Sequence, residues 1–232
     1  MCGRFAFNID TASLKKYFGL TKLPNIKISY NIAPTQTINV ITGDTTRQHK
    51  EMRWGLIPPW SKDDSMACKM INARSETVKE KPSFRQAYKQ RRCIIPASGF
   101  FEWQAGTSGK TPHYITMHSD ELMAMGGLYE TWLNPETNQT VATCTILTTN
   151  ANKLISPLHH RMPIILEKNN YAQWLDCTSQ TTANVDTILK PIPPEKIKIH
   201  RVSNKINATQ HNSPDCITED KTTPPAQQSF DF

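Results

Sequence analysis

With 232 residues and a formal net charge of +7, the chain is long enough to bury a core as one domain or two small ones. A composition of 38% hydrophobic and 20% charged residues excludes a chain disordered throughout, and the lack of any apolar run of about 18 residues excludes a membrane-spanning helix. The surplus of Lys and Arg suits a phosphate-rich partner, although a merely basic soluble protein would carry it equally well.

The first eight residues, MCGRFAFN, lack the long apolar stretch of a secretory signal, so the expectation is an intracellular protein. Asp10 is placed to cap a helix carrying Leu14, Tyr17 and Phe18 at helical spacing, with Gly19 as its stop. Strand-like runs follow at 38–41, 93–95, 100–103, 114–117, 141–148, 162–166 and 197–202. Helical patterns fall around 84–88, behind Pro82, and at 171–175 and 185–189. Strands and helices mix without steady βαβ alternation, which predicts an α+β fold. A single domain over 2–217 is expected, followed by a disordered tail at 218–232 rich in Thr, Pro, Gln and Asp.

The six cysteines stand at 2, 68, 93, 144, 177 and 216, with no CxxC pair and no zinc-type spacing, so no metal or other cofactor is implied. Most are expected reduced and buried, Cys2 excepted, because chain ends are rarely core. A small residue at position 2 permits removal of Met1. Cys2 would then present an amine and a thiol on adjacent carbons, with ordinary pKa values of about 7.7–8.0 and about 8.5. Such a 1,2-aminothiol closes a thiazolidine with an aldehyde; a Cys that merely follows the start codon is the plain alternative.

Four further stretches could carry chemistry. Trp54, Pro58 and Trp60 sit in a loop that could stack on exposed bases or simply pack inward. Asn72 and Arg74 point to one side of an extended backbone, where an amide could orient a reacting group and a guanidinium could hold a phosphate. Glu102, flanked by Phe101 and Trp103, is a carboxyl whose surroundings would lift its pKa toward the proton-transfer range. His159 and His160 precede Arg161, and on an extended segment only one of the two rings would face a given pocket.

Taken in order, Met1-Cys2-Gly3-Arg4-Phe5, Tyr30-Asn31-Ile32-Ala33-Pro34, Arg53-Trp54-Gly55-Leu56-Ile57-Pro58, Asn72-Ala73-Arg74-Ser75-Glu76-Thr77, Gly99-Phe100-Phe101-Glu102-Trp103, His159-x-Arg161-Met162-Pro163 and Val202-Ser203-x-x-Ile206-Asn207 resemble the SOS-response-associated peptidase (SRAP) family. The resemblance implies a β-rich α+β domain of mostly antiparallel, barrel-like strands with flanking helices. It implies a monomer that binds single-stranded DNA, including junctions with duplex, and crosslinks abasic sites through Cys2. Asn72, Glu102 and His159 would be the other catalytic residues. Arg4, Asn31, Pro34, Trp54, Pro58, Arg74 and Arg161 would contact or shape the DNA groove. His160 stands where similar sequences often carry an acid, and Phe101 where Tyr is frequent. The protein would work in the cytoplasm, on the nucleoid of a bacterium or in the nucleus of a eukaryote. Two other readings of the same residues stay open: an N-terminal-nucleophile peptidase using Cys2 and its own amine, and a non-catalytic single-strand binder.

Overall fold

The computed structural model describes residues 2–43, 46–107, 109–119, 121–179 and 181–222. In chain order the elements begin with β1 (Phe5–Phe7), α1 (Thr11–Phe18), β2 (Ser29–Ile32), β3 (Thr37–Thr42), β4 (Gln48–Trp54), β5 (Asn72–Arg74) and α2 (Arg85–Gln90). They continue with β6 (Arg92–Ala97), β7 (Gly99–Gly106), β8 (Gly109–Met117), β9 (Met123–Leu133) and β10 (Thr140–Asn150). The last are β11 (Arg161–Pro163), α3 (Tyr171–Leu175), α4 (Thr182–Asp186) and β12 (Ile197–Arg201).

The strands form two sheets. One is five-stranded in the order β12-β8-β7-β1-β2; the other is seven-stranded and closes on itself, because β9 at the end of the path β10-β4-β3-β6-β9 also pairs with β10. Closure removes the free edges along that ring and makes the fold the α+β, barrel-like architecture expected. Pairing is mostly antiparallel, but β10 runs parallel to β4 and to β5. The far end of β10 holds two short strands, β5 through Thr148↔Arg74 and β11 through Thr148↔Pro163. The two sheets meet across apolar side chains: Phe5 of β1 lies edge-on to Trp54 of β4, ring centroids 5.2 Å apart.

Helix α1 forms as its sequence requires. Asp10 accepts from Ser13 N–H at 2.9 Å, and Gly19 (φ 64) ends it in the left-handed conformation. Its buried face sets Phe18 against Tyr171 of α3 at 5.6 Å. The strand expected at 162–166 is only the short β11, and the helix expected at 185–189 lies earlier in the chain, as α4.

The cysteines are all free among the described residues; Cys93, Cys144 and Cys216 are buried, Cys68 is exposed and Cys177 half-buried. Cys2 corrects the expectation for a chain end, being 0% exposed and part of the main core. It is buried because it leads directly into β1, which lies between β2 and β7. Residues 218–222, assigned to the tail by composition, instead follow β12: Glu219 bridges Val202, and Asp220 N–H donates to Arg201 O at 2.8 Å. The rest of that expected tail, 223–232, lies outside the described residues.

Candidate active site

Of four side chains singled out from sequence, Glu102 and His159 line one cleft, and Cys2 and Asn72 are joined to each other, with Cys2 close enough to Glu102 to feel its charge. Asn72, opening β5, donates from Nδ2 to the Cys2 carbonyl at 2.8 Å and so fixes the start of the chain. Its Oδ1 is buried and has no hydrogen-bond partner among the described residues. Glu102 of β7 is 4% exposed; together with His159 it lines a cleft of about 580 Å³ whose other walls are Trp103, Lys110 and Asn207. Burial raises the Glu102 pKa above the usual carboxylate range. Burial also raises the Cys2 thiol pKa, and the nearby Glu102 carboxylate pushes it the same way. The resting thiol is therefore protonated, not pre-activated.

His159 titrates below the ordinary histidine range, first because it is partly desolvated and next because the chain's N-terminal amine is close by, with the charges of His160 and Arg161 acting in the same direction. The Arg161 N–H points at His159 Nδ1, 2.9 Å away, so the neutral ring accepts there and carries its proton on Nε2. The Arg161 carbonyl, 3.3 Å from the same nitrogen, is the acceptor when the ring is protonated. His159 lines the cleft and His160 does not, as expected of adjacent histidines, but the two rings do not point to opposite sides. Their segment is a bend ahead of β11 rather than extended chain, and the rings stack at 4.3 Å.

Several residues assigned to DNA contact are engaged elsewhere. Trp54 is 0% exposed and its indole N–H donates to Ile71 O at 2.9 Å, so it packs in the core and offers no face to a base. Pro58 is buried beside it in the chain, while Trp60 is the exposed aromatic of that loop. Asn31 is a fold anchor: Nδ2 donates to the carbonyls of Ile206, Ala208 and His211, and Oδ1 accepts from Arg4 Nη1 at 2.6 Å. Arg4 also donates to Ile206 O at 2.9 Å, tying β1 to the 206–211 segment. Arg161, expected to grip phosphate, has its guanidinium held by both Glu76 oxygens, Asn150 Oδ1 and Thr148 O at 2.7–2.8 Å. Arg74 is exposed at the end of β5 on the same side as Asn72, and Pro34 is half-buried.

Trp103, Lys110 and Asn207 were not singled out as site residues. Trp103 Nε1–H donates to Asn207 Oδ1 at 2.8 Å, which fixes the indole on the cleft wall. Both stood inside recognisable motifs; Lys110 had no local signal and enters only because β8 folds back on β7 with Lys110 opposite Ala105. His211, Asp215 and Cys216 bring possible metal-ligand atoms within 4.8 Å of one another. That group is closed on itself, since Asp215 already pairs with His211 at 2.9 Å and Lys205 at 3.2 Å.

Against known proteins, the family described as SOS response associated peptidase (SRAP) matches residues 1–209. The Bacillus subtilis abasic site processing protein YoqW is 40% identical over 222 residues, covering 94% of this chain and 99% of that one. The Gallus gallus abasic site processing protein HMCES is 30% identical over 261 residues, covering 94% of this chain and 77% of that one. Among solved structures, a crystal structure of a Bacteroides thetaiotaomicron protein superposes with a TM-score of 0.85 at 27% identity, covering 94% of this chain and 100% of that one.

Proposed function

This chain belongs to the SOS response associated peptidase (SRAP) family, and from that premise we propose that it is a DNA-lesion-processing enzyme that captures abasic sites in single-stranded DNA. In this reading Met1 is removed and Cys2 carries the chemistry. The Cys2 amine adds to the aldehyde carbon of the open-chain deoxyribose, and the resulting carbinolamine loses water to give an imine. The Cys2 sulfur then adds to the imine carbon, the thiol proton passes to nitrogen, and a thiazolidine joins protein to DNA. One aldehyde and one aminothiol are consumed and one water is released.

The observation that carries this reading is the convergence of Cys2, Asn72, Glu102 and His159. The Cys2 carbonyl is pinned by Asn72 at 2.8 Å, and Glu102 and His159 line the adjoining cleft. Fixing amine and aldehyde together replaces a bimolecular encounter by an effective concentration of about 10⁵ M or more in well-oriented cases. Asn72 Oδ1 is a buried acceptor available to the Cys2 amine or the sugar. Glu102, with its raised pKa, can donate a proton to the ring oxygen and to the departing hydroxyl. His159, neutral near pH 7, can take protons back. A buried thiol whose pKa is raised fits a sequence in which the amine reacts first and sulfur closes second. Single-stranded DNA, including its junctions with duplex, is the substrate because the sugar must turn into the cleft. The protein would act as a monomer on the nucleoid or in the nucleus.

The test is incubation with a uracil-containing oligonucleotide treated with a glycosylase, followed by denaturing electrophoresis. An adduct that survives boiling, lost in Cys2→Ala while affinity for undamaged single strands is kept, is the expected result. Intact mass of the purified protein should lack Met1 and rise by the oligonucleotide mass less one water. Peptide cleavage without an adduct, or salt-sensitive retention alone, would replace this reading by the peptidase or the simple binder.

A further inference from the structure

We infer that Glu76 is a positioning residue for His159 and acts through Arg161. The inference rests on the reading above for what His159 does, but the clamp itself belongs to the free protein. Glu76 lies in the turn after β5, and Arg161 opens β11, 85 residues away; the two meet because both short strands are held by the same end of β10. Their contact is a fork, Arg161 Nη1 to Oε1 and Nη2 to Oε2, both at 2.8 Å. Asn150 Oδ1 and Thr148 O take further guanidinium protons at 2.8 and 2.7 Å. The arginine side chain is 6% exposed, so it is locked; the Glu76 side chain is 44% exposed and reaches it from the surface.

What this fixes is the arginine backbone. Arg161 N–H lies 2.9 Å from His159 Nδ1 and Arg161 O lies 3.3 Å from it, so one residue serves the imidazole in both protonation states. The same carboxylate joins β5, which carries Asn72, to β11, which His159 precedes, since Glu76 follows β5 and Arg161 begins β11. A carboxylate is required for this. A bidentate guanidinium pair needs two acceptor oxygens, and an amide supplies only one. The charges around the His159 ring are the chain's N-terminal amine; His160, stacked on the ring; Arg161 on β11; Glu102 on β7 and Lys110 on β8 at the cleft; and Glu76, whose charge offsets that of Arg161.

Histidine-ring ¹⁵N NMR of the full chain tests the clamp without using the reaction. Wild-type His159 should give a single neutral tautomer, protonated at Nε2. In Glu76→Gln the tautomer should become mixed, and the His159 midpoint should move to lower pH because the Arg161 charge is no longer offset. Crosslinking should slow by on the order of 10- to 100-fold while affinity for lesion-free strands stays put. Glu76→Asp keeps the charge but is one methylene short, so its midpoint should lie between the two; it also serves if the Gln variant does not fold, with His49 and His113 signals reporting the fold. A wild-type tautomer and midpoint in a folded variant overturn the clamp. An absent adduct in wild type overturns the functional reading alone, and the spectra still decide the clamp.

Discussion

Glu102 costs the fold part of what it contributes to the cleft. Its pKa is raised in the folded chain, chiefly by desolvation, so the folded state holds the proton more tightly than the unfolded one. The sign follows: its contribution to stability is fully present below the unfolded value of about 4.3 and is lost as pH rises through the folded value. Above the folded value the ionised carboxylate therefore strains the structure, and Glu102→Gln relieves that strain. We expect the variant to melt higher than wild type at alkaline pH, by about 2–4 °C for each kcal/mol relieved, and to match wild type in acid. It should also crosslink more slowly while binding undamaged single strands as before. Calorimetry at both pH values and a crosslinking time course check this; equal losses of rate and affinity would remove Glu102 from proton transfer. This residue was legible because a carboxyl between Phe101 and Trp103 has few innocent explanations. Arg161 was not: nothing in His-x-Arg-Met-Pro tells that Glu76 will lie opposite, so a guanidinium that looks free in sequence is already satisfied in the fold.

The β7–β8 hairpin places Glu102, and it depends on a close approach at its start. A Cβ added at Gly99 would lie 2.4 Å from Ile115 O and 2.6 Å from Tyr114 Cζ, the first of them backbone that cannot swing aside. Gly99→Ala should therefore loosen the hairpin, destabilising the domain by roughly 1–3 kcal/mol and slowing crosslinking. A melting curve unchanged from wild type would show that the strands separate freely there. The same physics explains which elements could be read from sequence. Strands β3, β6, β7 and β10 are rich in β-branched or aromatic residues and helix α1 has both caps, so local preference and tertiary structure agree. Strand β9, among the longest, keeps its aromatic and β-branched residues to its second half, and its opening MAMGG reads as a breaker at Gly126-Gly127. It is a strand because a Cβ at Gly127 would fall 2.8 Å from Ile95 Cδ1 and 2.9 Å from Thr145 O, so only glycine lets β6 and β10 close around it. Strand β4, QHKEMRW, is masked differently, by charges that stay outside while Met52 and Trp54 turn inward.

At the scale of the whole molecule the site sits where two sheets are joined. Glu102 stands on β7 of the five-stranded sheet and Cys2 just ahead of its β1, while Asn72 opens β5 and His159 precedes β11 at the far end of β10 in the closed one. Each sheet thus positions two of the four candidate residues, and the Asn72–Cys2 hydrogen bond spans the join. The net charge of +7 draws a polyanion toward the molecule as a whole, but it does not say which cations touch phosphate. Burial separates them. Arg74 is exposed beside Asn72, whereas Arg161 is 5% exposed and spent on Glu76. Each arginine that neutralises a phosphate of single-stranded DNA contributes about 0.7 to the slope of log K against log salt. Arg74→Ala should accordingly weaken binding to undamaged single strands and lower that slope by about one contact. Arg161→Gln, which removes the charge, should leave the slope at its wild-type value while slowing crosslinking, because what it loses is the fork that holds β11 and not a phosphate. Titrations over a range of salt concentrations with both variants decide between the two roles. A reduced slope in Arg161→Gln would mean that DNA displaces Glu76 from the guanidinium on binding, and the internal ion pair would then be a property of the unbound protein alone.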